Sequence, residues 1–121
     1  MAHVFVTGAA GGIGLGMAHA FATQGINLAL ADVDADRLAD VQRQFKAAGH
    51  DVLVFALDVG NRTALKQAVA QVVEHFGALN IVCANAGVAG FFGPLQDGSE
   101  ADWDWVVDVN LKGAVNTVQA C

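Results

Sequence analysis

A glycine-rich segment, Thr7-Gly8-Ala9-Ala10-Gly11-Gly12-Ile13-Gly14, carries the clearest chemical signal in this sequence of 121 residues. It follows a short apolar run and leads directly into helical spacing, which puts it at a helix N-terminus. Backbone N–H groups at such a terminus lack partners within the helix, and the helix dipole adds partial positive charge, so an anion is favoured there. Glycine lets the backbone turn tightly and approach a pyrophosphate. The segment predicts a phosphate-binding loop, and the alternative is a strand-to-helix turn that is merely tight.

An acidic residue follows this loop at an informative distance. Asp32 ends the second apolar run, 18 residues after the last glycine of the loop. Dinucleotide-binding folds place a carboxylate at this position, where it accepts hydrogen bonds from the adenosine ribose. A carboxylate repels a 2′-phosphate, and none of Ala9, Ala10 and Val33 offers a cation to hold one. The pattern predicts NAD over NADP, and the alternative is a solvated carboxylate that ends the strand or caps the next helix.

The elements that would position these residues alternate regularly along the chain. Four apolar runs of strand length are separated by stretches of helical spacing, and each helical stretch stops at a glycine, which closes a helix in the left-handed conformation. Asp34 and Asn61 stand at N-cap positions. The predicted strands are His3–Val6, Asn27–Ala31, Val52–Leu57 and Leu79–Ala84, and the predicted helix stops are Gly25, Gly49 and Gly77. Apolar strands joined by helices predict a Rossmann-type α/β fold, a doubly wound parallel sheet covered on both faces.

Composition and charge exclude several classes of protein. The length fits one domain, residues 1–121, and 55% apolar residues with one proline exclude a disordered chain. The net charge of -6 and the scattered basic residues argue against nucleic-acid binding. The longest uncharged stretch, Met1–Ala31, is broken by glycines, so we expect no membrane span and no cleaved signal, and a cytoplasmic protein. Cys83 and Cys121 have neither CxxC spacing nor a nearby histidine, which predicts reduced structural thiols and no metal site.

The last part of the chain predicts a helix with one polar residue on its apolar face. The helix would begin near Ser99 and continue to the last residue. Its apolar stripe would consist of Trp103, Val107, Asn110, Ala114 and Val118. A buried amide without a partner costs roughly 1–3 kcal/mol, so Asn110 should be hydrogen-bonded. A lone amide of this kind also suits a residue that only kinks the helix or caps a neighbouring backbone group.

These motifs together resemble the short-chain dehydrogenase/reductase family, whose glycine loop follows the pattern TGxxxGxG. Thr7, Gly8, Gly12 and Gly14 match that pattern position for position. The further matches, in order over the whole chain, are Asp58-Val59 after the third strand, Asn85-Ala86-Gly87 after the fourth, and Asp108-Val109-Asn110-Leu111-Lys112-Gly113 in the last helix. The resemblance implies an oxidoreductase that transfers hydride between a nicotinamide and an alcohol or carbonyl substrate, in a homodimer or homotetramer.

The resemblance also implies roles for individual residues. Gly8, Gly12, Ile13 and Gly14 would surround the pyrophosphate, Asp32 with Val33 would lie at the adenine ribose, Asp58 and Val59 at the adenine, Asn85, Ala86 and Gly87 at the nicotinamide side, and Asn110 in the proton relay.

The family also uses a serine and a YxxxK pair that this sequence does not match. It contains no tyrosine, its only serine is Ser99, which precedes Asn110, and Lys112 has no tyrosine before it. We therefore expect an amino-terminal half, truncated after about four strands, that leaves Ile81–Ala84 as an exposed edge and is completed by a carboxy-terminal segment. The alternative is a non-catalytic NAD-binding module or a half-domain completed by a partner.

Overall fold

The fold is a parallel four-stranded sheet with helices on both faces, seen in a computed structural model that describes all residues from Met1 to Cys121. The sheet order is β3-β2-β1-β4. In chain order the elements are β1 (His3–Thr7), α1 (Gly12–Thr23), β2 (Asn27–Asp32), α2 (Ala35–Ala47), β3 (Val52–Ala56), α3 (Arg62–Phe76), β4 (Ile81–Cys83), a 3₁₀ turn (Leu95–Asp97), α4 (Glu100–Val106), a π-helical turn (Val107–Lys112) and α5 (Gly113–Ala120). The predicted Rossmann-type doubly wound sheet is confirmed.

The strand β1 lies at the centre of the core, and all five of its residues are buried. Because side chains alternate along a strand, Val4 and Val6 face the helices α1 and α2, whereas Phe5 faces α3. On the first face Leu38 and Phe45 of α2 complete the packing. Neighbouring strands pair in register on both sides of β1, so its carboxyl end lies beside those of β2 and β4.

The helix boundaries follow the predicted capping residues. The side chain of Asp34 accepts a hydrogen bond from the backbone N–H of Arg37 at 3.1 Å, and Asn61 accepts one from Ala64 at the same distance. Positive φ angles are found at the three predicted helix stops, Gly25, Gly49 and Gly77. These predictions are confirmed, and they fix where each helix turns back toward the sheet.

The fourth strand is shorter than predicted. At its start the backbone N–H of Asn80 donates to His3 O at 3.1 Å, but the hydrogen bond from His3 N goes to the side-chain oxygen of Asn80 at 2.9 Å and not to its backbone. At its end the backbone N–H of Asn85 turns back to the carbonyl of Cys83 at 2.9 Å. The paired strand therefore covers Ile81–Cys83 and not Leu79–Ala84, and it pairs with β1 alone, which leaves its other side as an edge of the sheet.

The last helix does not have the predicted continuous apolar stripe. Ser99 caps it as expected, with its hydroxyl accepting from Asp102 N and the Asp102 carboxylate accepting from Ser99 N. The π-helical turn then shifts the register of everything after it, because a π turn holds more residues than an α turn. As a result Asn116 and Thr117 face the core, whereas Val118 is 64% exposed. The predicted stripe is therefore wrong, since Trp103, Val107, Asn110 and Val118 are all exposed.

The two cysteines are free, and they differ in exposure. Cys83 lies half buried in β4 and Cys121 is exposed, so only the first fits the predicted structural thiol. Desolvation raises the pKa of the Cys83 thiol above its ordinary value. None of the helices combines the length and the apolarity needed to cross a bilayer.

Candidate functional site

A cleft opens above the carboxyl ends of β1, β2 and β4, where the chain leaves the sheet toward opposite sides. In doubly wound sheets ligands bind at such a switch point. The residues that line the cleft come from five segments. They are Gly8, Ala10, Gly11, Gly12 and Ile13; Ala31, Asp32, Val33 and Arg37; Leu57, Asp58 and Val59; Asn85, Ala86, Gly87 and Val88; and Trp105 and Val109.

The glycine loop forms the floor of one section of the cleft, and its glycines are needed for different reasons. Gly8 and Gly12 have positive φ angles of 65° and 54°, which favour glycine. Gly14 has no room for a side chain, because a β-carbon there would lie 2.1 Å from the carbonyl oxygen of Gly8. No atom lies within 4 Å of the corresponding point at Gly12. The loop is thus tightly packed at Gly14 and open at Gly12.

The carboxylate of Asp32 is tied directly to this loop. One oxygen accepts a hydrogen bond from the backbone N–H of Ala10 at 3.0 Å, and the other accepts one from Asp34 N, also at 3.0 Å. The first bond connects the carboxyl end of β2 with the middle of the loop. The carboxylate therefore lies beside the glycine loop, and it also ties down the turn that leads into α2.

The segment after β4 is held beside the loop by the hydroxyl of Thr7. This oxygen accepts hydrogen bonds from the backbone N–H groups of Asn85 and Ala86, both at 3.0 Å, and Thr7 is 1% exposed. The side-chain amide of Asn85 donates in return to the carbonyl of Thr7 at 3.1 Å. Sequence reasoning matched Thr7 to a motif without finding this role, although a buried hydroxyl at the end of a strand is itself a sign of one.

Asp58 and Val59 form the opposite wall of the cleft. The Asp58 carboxylate accepts from Gly60 N at 2.8 Å, which fixes the turn after β3. Val59 is buried, and its side chain fills the space that a β-carbon at Gly113 would need. Its carbonyl accepts a hydrogen bond from the side chain of Asn116 at 3.0 Å. Helix α5 thus holds the turn in place from behind.

Asn110 lies in the π-helical turn and is bound to the segment after β4. Its side-chain oxygen accepts from Val88 N at 2.7 Å, and its amide nitrogen donates to Val88 O at 2.9 Å. A β-carbon at Gly87 would lie 3.4 Å from the same side-chain oxygen. The expected hydrogen bonds are confirmed, but Asn110 is exposed and not buried, because the π turn lifts it off the core.

Apolar side chains with unusual exposure also face the cleft. Ile13 is 76% exposed, Val33 is 72% exposed, and Trp105 is 51% exposed. Such residues would lose contact with water when a ligand with apolar rings enters. Trp105 was not predicted as a site residue, because nothing in its sequence position separates it from a residue on the surface of a helix.

One basic side chain lines the section of the cleft that contains the glycine loop. A β-carbon at Gly11 would lie 2.6 Å from Nη2 of Arg37, so the guanidinium occupies the space beside that glycine. Sequence reasoning missed this contact, because Arg37 is far from the loop along the chain. The residues that line the cleft thus include two carboxylates, Asp32 and Asp58, one guanidinium, Arg37, and the glycine loop, a set that suits a phosphate-containing dinucleotide.

Residues 2–121 match the family model described as short chain dehydrogenase. The chain belongs to the short-chain dehydrogenase family. A relative from Thauera aromatica, (2S)-[(R)-hydroxy(phenyl)methyl]succinyl-CoA dehydrogenase subunit BbsD, is 40% identical over 115 residues, which are 95% of this chain and 46% of the relative. The chain thus spans about half the length of the curated short-chain dehydrogenases it matches.

Solved structures of short-chain dehydrogenases superpose closely on the chain. One from Burkholderia phymatum in complex with NAD has a TM-score of 0.95 at 34% identity, and the match covers 98% of this chain and 42% of the other. An alcohol dehydrogenase from Thermococcus sibiricus complexed with 5-hydroxy-NADP has a TM-score of 0.91 at 35% identity, and the match covers 99% of this chain and 51% of the other. These neighbours support a nicotinamide cofactor without deciding between NAD and NADP.

Proposed function

We propose that this chain is the cofactor-binding part of an NAD-dependent oxidoreductase of the short-chain dehydrogenase type. The observation that carries the proposal is the hydrogen bond from Ala10 N to the Asp32 carboxylate, since it joins the anion-binding loop to the group that would recognise a ribose. A bound nicotinamide would supply hydride exchange with an alcohol or carbonyl substrate. The protein as a whole would be a cytoplasmic homodimer or homotetramer.

The residues assigned to the cofactor follow the cleft from one end to the other. The pyrophosphate would lie over the loop, the adenosine against the exposed side chains near Asp32, and the nicotinamide beside the segment after β4. In that order the proposed contacts are Gly8, Gly12, Ile13 and Gly14; Asp32 and Val33; Asp58 and Val59; and Asn85, Ala86 and Gly87. The open space at Gly12 and the exposed Ile13 and Val33 support this assignment.

Asn110 is the residue that we assign to a proton relay. Support comes from its exposure and from its contact with Gly87, at the nicotinamide side of the proposed site. Both hydrogen bonds to Val88 use the side chain of Asn110, so they would hold the backbone of Asn110 in a fixed position. Proton transfer by a positioned group to a developing alkoxide typically accelerates a reaction about 10²–10⁴-fold, which is the size of the effect that such a relay would have.

A second candidate is a non-catalytic NAD-binding module completed by a partner. It is favoured by Ser99, the only serine among these residues, whose hydroxyl is used as a helix cap. The two candidates differ in turnover. Fusing the carboxy-terminal half of the Thauera relative to this chain should yield alcohol-dependent NADH formation if the first is correct, and binding alone if the second is.

The binding claim itself is tested by Asp32→Ala. Removing the carboxylate should weaken NAD binding and leave NADP binding nearly unchanged, because the ribose hydroxyls lose their acceptor while the repulsion of a 2′-phosphate also disappears. Isothermal titration calorimetry with both cofactors measures this. An unchanged preference between NAD and NADP would remove Asp32 from the ribose site.

A further inference from the structure

The strand β3 forms one edge of the sheet, and no element of the chain pairs with its outer side. The sheet order places it at the end opposite β4, with β2 as its only neighbour. Its residues, Val52–Ala56, include no charged side chain and no proline. Proteins commonly protect an edge strand with such residues, because an open edge pairs with any strand that is presented to it. The outer side of β3 is therefore a surface suited to binding another strand.

The outward-facing backbone groups of β3 are symmetric about Val54. The carbonyl of Asp51 accepts from Leu28 N at 3.2 Å, so the odd-numbered positions of this strand bond to β2. The N–H and C=O groups of Val52, Val54 and Ala56 therefore point away from the sheet. A second copy of β3, placed antiparallel with a two-fold axis at Val54, sets Val54 opposite itself and Val52 opposite the partner copy's Ala56. Opposed residues of this type exchange two hydrogen bonds, so every outward group of the three residues finds a partner.

The side chains on the α3 face of this edge match in the same arrangement. Leu53 and Phe55 are half-buried and pack against the core that α3 covers. Antiparallel pairing about Val54 puts Leu53 opposite the partner copy's Phe55, and the reverse pair forms at the other end of the strand. Aromatic and aliphatic side chains in opposed positions stabilise a sheet. The surface of both side chains that the single copy leaves open to water is buried in this way.

A groove runs beside the edge between β3 and α3, and its polar lining is also self-complementary. It consists of two cavities that share Gln71, one reaching Gln67 near the carboxyl end of β3 and the other reaching Glu74 near its amino end. No Lys or Arg lines either cavity, and Glu74 belongs to no ion pair. Under the two-fold axis the carboxylate of Glu74 lies toward the partner copy's Gln67, whose amide is a hydrogen-bond donor. The two copies of Gln71 lie near the axis.

The helix α3 leaves room for its counterpart in a second copy. It shares a core cluster with Ala29 and Ala31 of β2 and borders β3 along the groove, so it lies over these two strands. With paired strands about 4.8 Å apart, the two α3 helices run side by side at roughly 10 Å, an ordinary distance between packed helices. Ala64 and Ala68 line the groove, and side chains of this size do not obstruct the approach.

We propose that β3 is an interface between two copies of this chain, which pair antiparallel and continue one sheet through both. The proposal goes beyond the proposed function and does not depend on whether a cofactor binds. A second copy is favoured over a foreign strand, because one axis at Val54 satisfies the outward backbone groups, the Leu53 and Phe55 pairs, and the Glu74 and Gln67 pairs together. Closed two-fold association is also the commonest arrangement of identical subunits.

The first test places charges at Gln71, an exposed residue, so that they meet near the axis. Sedimentation velocity on the full chain at up to about 0.5 mM measures the dissociation constant of the dimer. We expect Gln71→Glu and Gln71→Lys each to weaken the dimer about fivefold when studied alone, because like charges then face each other. An equal mixture of the two variants should dimerise at least as tightly as the unaltered chain. Ala70→Glu and Ala70→Lys are the matched controls, since Ala70 is exposed on the same helix but does not line the groove. They should leave the dimer unchanged.

The second test examines the backbone pairing itself. Val54→Pro removes the outward N–H at the axis and spares the bonds to β2, and an edge strand tolerates proline at such a position. This variant should be monomeric, whereas Val54→Thr keeps the N–H and should dimerise. In the unaltered chain, hydrogen exchange at the Val54 and Ala56 amides should slow as the protein concentration rises. Exchange at Leu53 and Phe55, which bond to β2, should not depend on concentration.

Other outcomes would overturn the proposal. An unaltered chain that stays monomeric over the whole concentration range has no such interface, and a foreign strand would then be the better occupant of the edge. A dimer that is equally tight in the Gln71 variants, alone and mixed, forms through another surface. If thermal unfolding shows that Val54→Pro does not fold, the comparison of Gln71 with Ala70 decides by itself, because both residues are exposed.

Discussion

Asn110 and Val88 are joined by two hydrogen bonds, one in each direction, although 22 residues separate them along the chain. The side-chain oxygen of Asn110 accepts from Val88 N at 2.7 Å, and its amide nitrogen donates to Val88 O at 2.9 Å. The pair fastens the π-helical turn to the segment after β4. The side chain of Asn110 therefore helps to hold two walls of the candidate site at a fixed spacing.

Replacing Asn110 with alanine should loosen this segment. Both hydrogen bonds to Val88 are lost, and because they are partly solvated we expect a decrease in the free energy of unfolding of about 1–2 kcal/mol. Hydrogen exchange at the Val88 amide should become faster, while exchange within β1 should change only as much as global stability does. Asn110→Asp is the matched control, since it keeps the acceptor for Val88 N. Equal exchange at Val88 in all three proteins would contradict a positioning role.

Trp105 offers a direct optical signal for occupation of the site. It lines the cleft together with Asp32 and Asp58, whereas Trp103 packs against Gly98 and lies outside the cleft. We expect NAD to quench tryptophan fluorescence in the unaltered chain and in Trp103→Phe, and to leave Trp105→Phe nearly unquenched. Titration with NAD at a fixed protein concentration measures this. Quenching that persists in Trp105→Phe would mean that the adenosine lies elsewhere.

Much of the fold could be predicted from the sequence because its signals are local. The Asp34 and Asn61 caps and the left-handed glycines that end helices depend on neighbours in the chain, so each was found where it was expected. The register of the last helix was not predictable in this way. Within its π turn Asn110 is hydrogen-bonded to Val88, and directly after the turn Gly113 packs against Val59. Both partners are distant in sequence.

The candidate site shows the same division. Gly14 and Asp32 could be proposed from the sequence because their spacing along the chain is itself the signal. The roles of Thr7 and Arg37 depend on which strand ends and helices become neighbours in space, and a spacing pattern along one segment does not contain that information. Sequence reasoning examined only the loop and the residue directly after β2 for a cation, whereas the basic side chain that lies beside Gly11 comes from the first turn of α2.

Thr7→Val should destabilise the chain more than its small change in shape suggests. The substitution keeps the volume but removes the acceptor for the N–H groups of Asn85 and Ala86, and groups left unsatisfied in a buried site cost about 1–3 kcal/mol each. Urea unfolding followed by circular dichroism measures the loss. Thr23→Val is the control, because that hydroxyl donates to Ala20 O at an exposed helix end and should cost far less. A similar loss of stability in both variants would argue that the two hydrogen bonds accepted by the Thr7 hydroxyl contribute little.

Two alanine substitutions in α1 separate close packing from helix propensity. At Gly14 a β-carbon would lie 2.1 Å from Gly8 O, a contact that forces the loop to move, so Gly14→Ala should lower stability and abolish detectable NAD binding. At Gly16 nothing lies within 4 Å, and alanine should stabilise the helix by about 0.5–1 kcal/mol while leaving NAD affinity unchanged. Thermal unfolding and calorimetric titration of both variants check these expectations. Retained NAD affinity in a Gly14→Ala variant that is destabilised as expected would mean that the pyrophosphate does not bind at this loop.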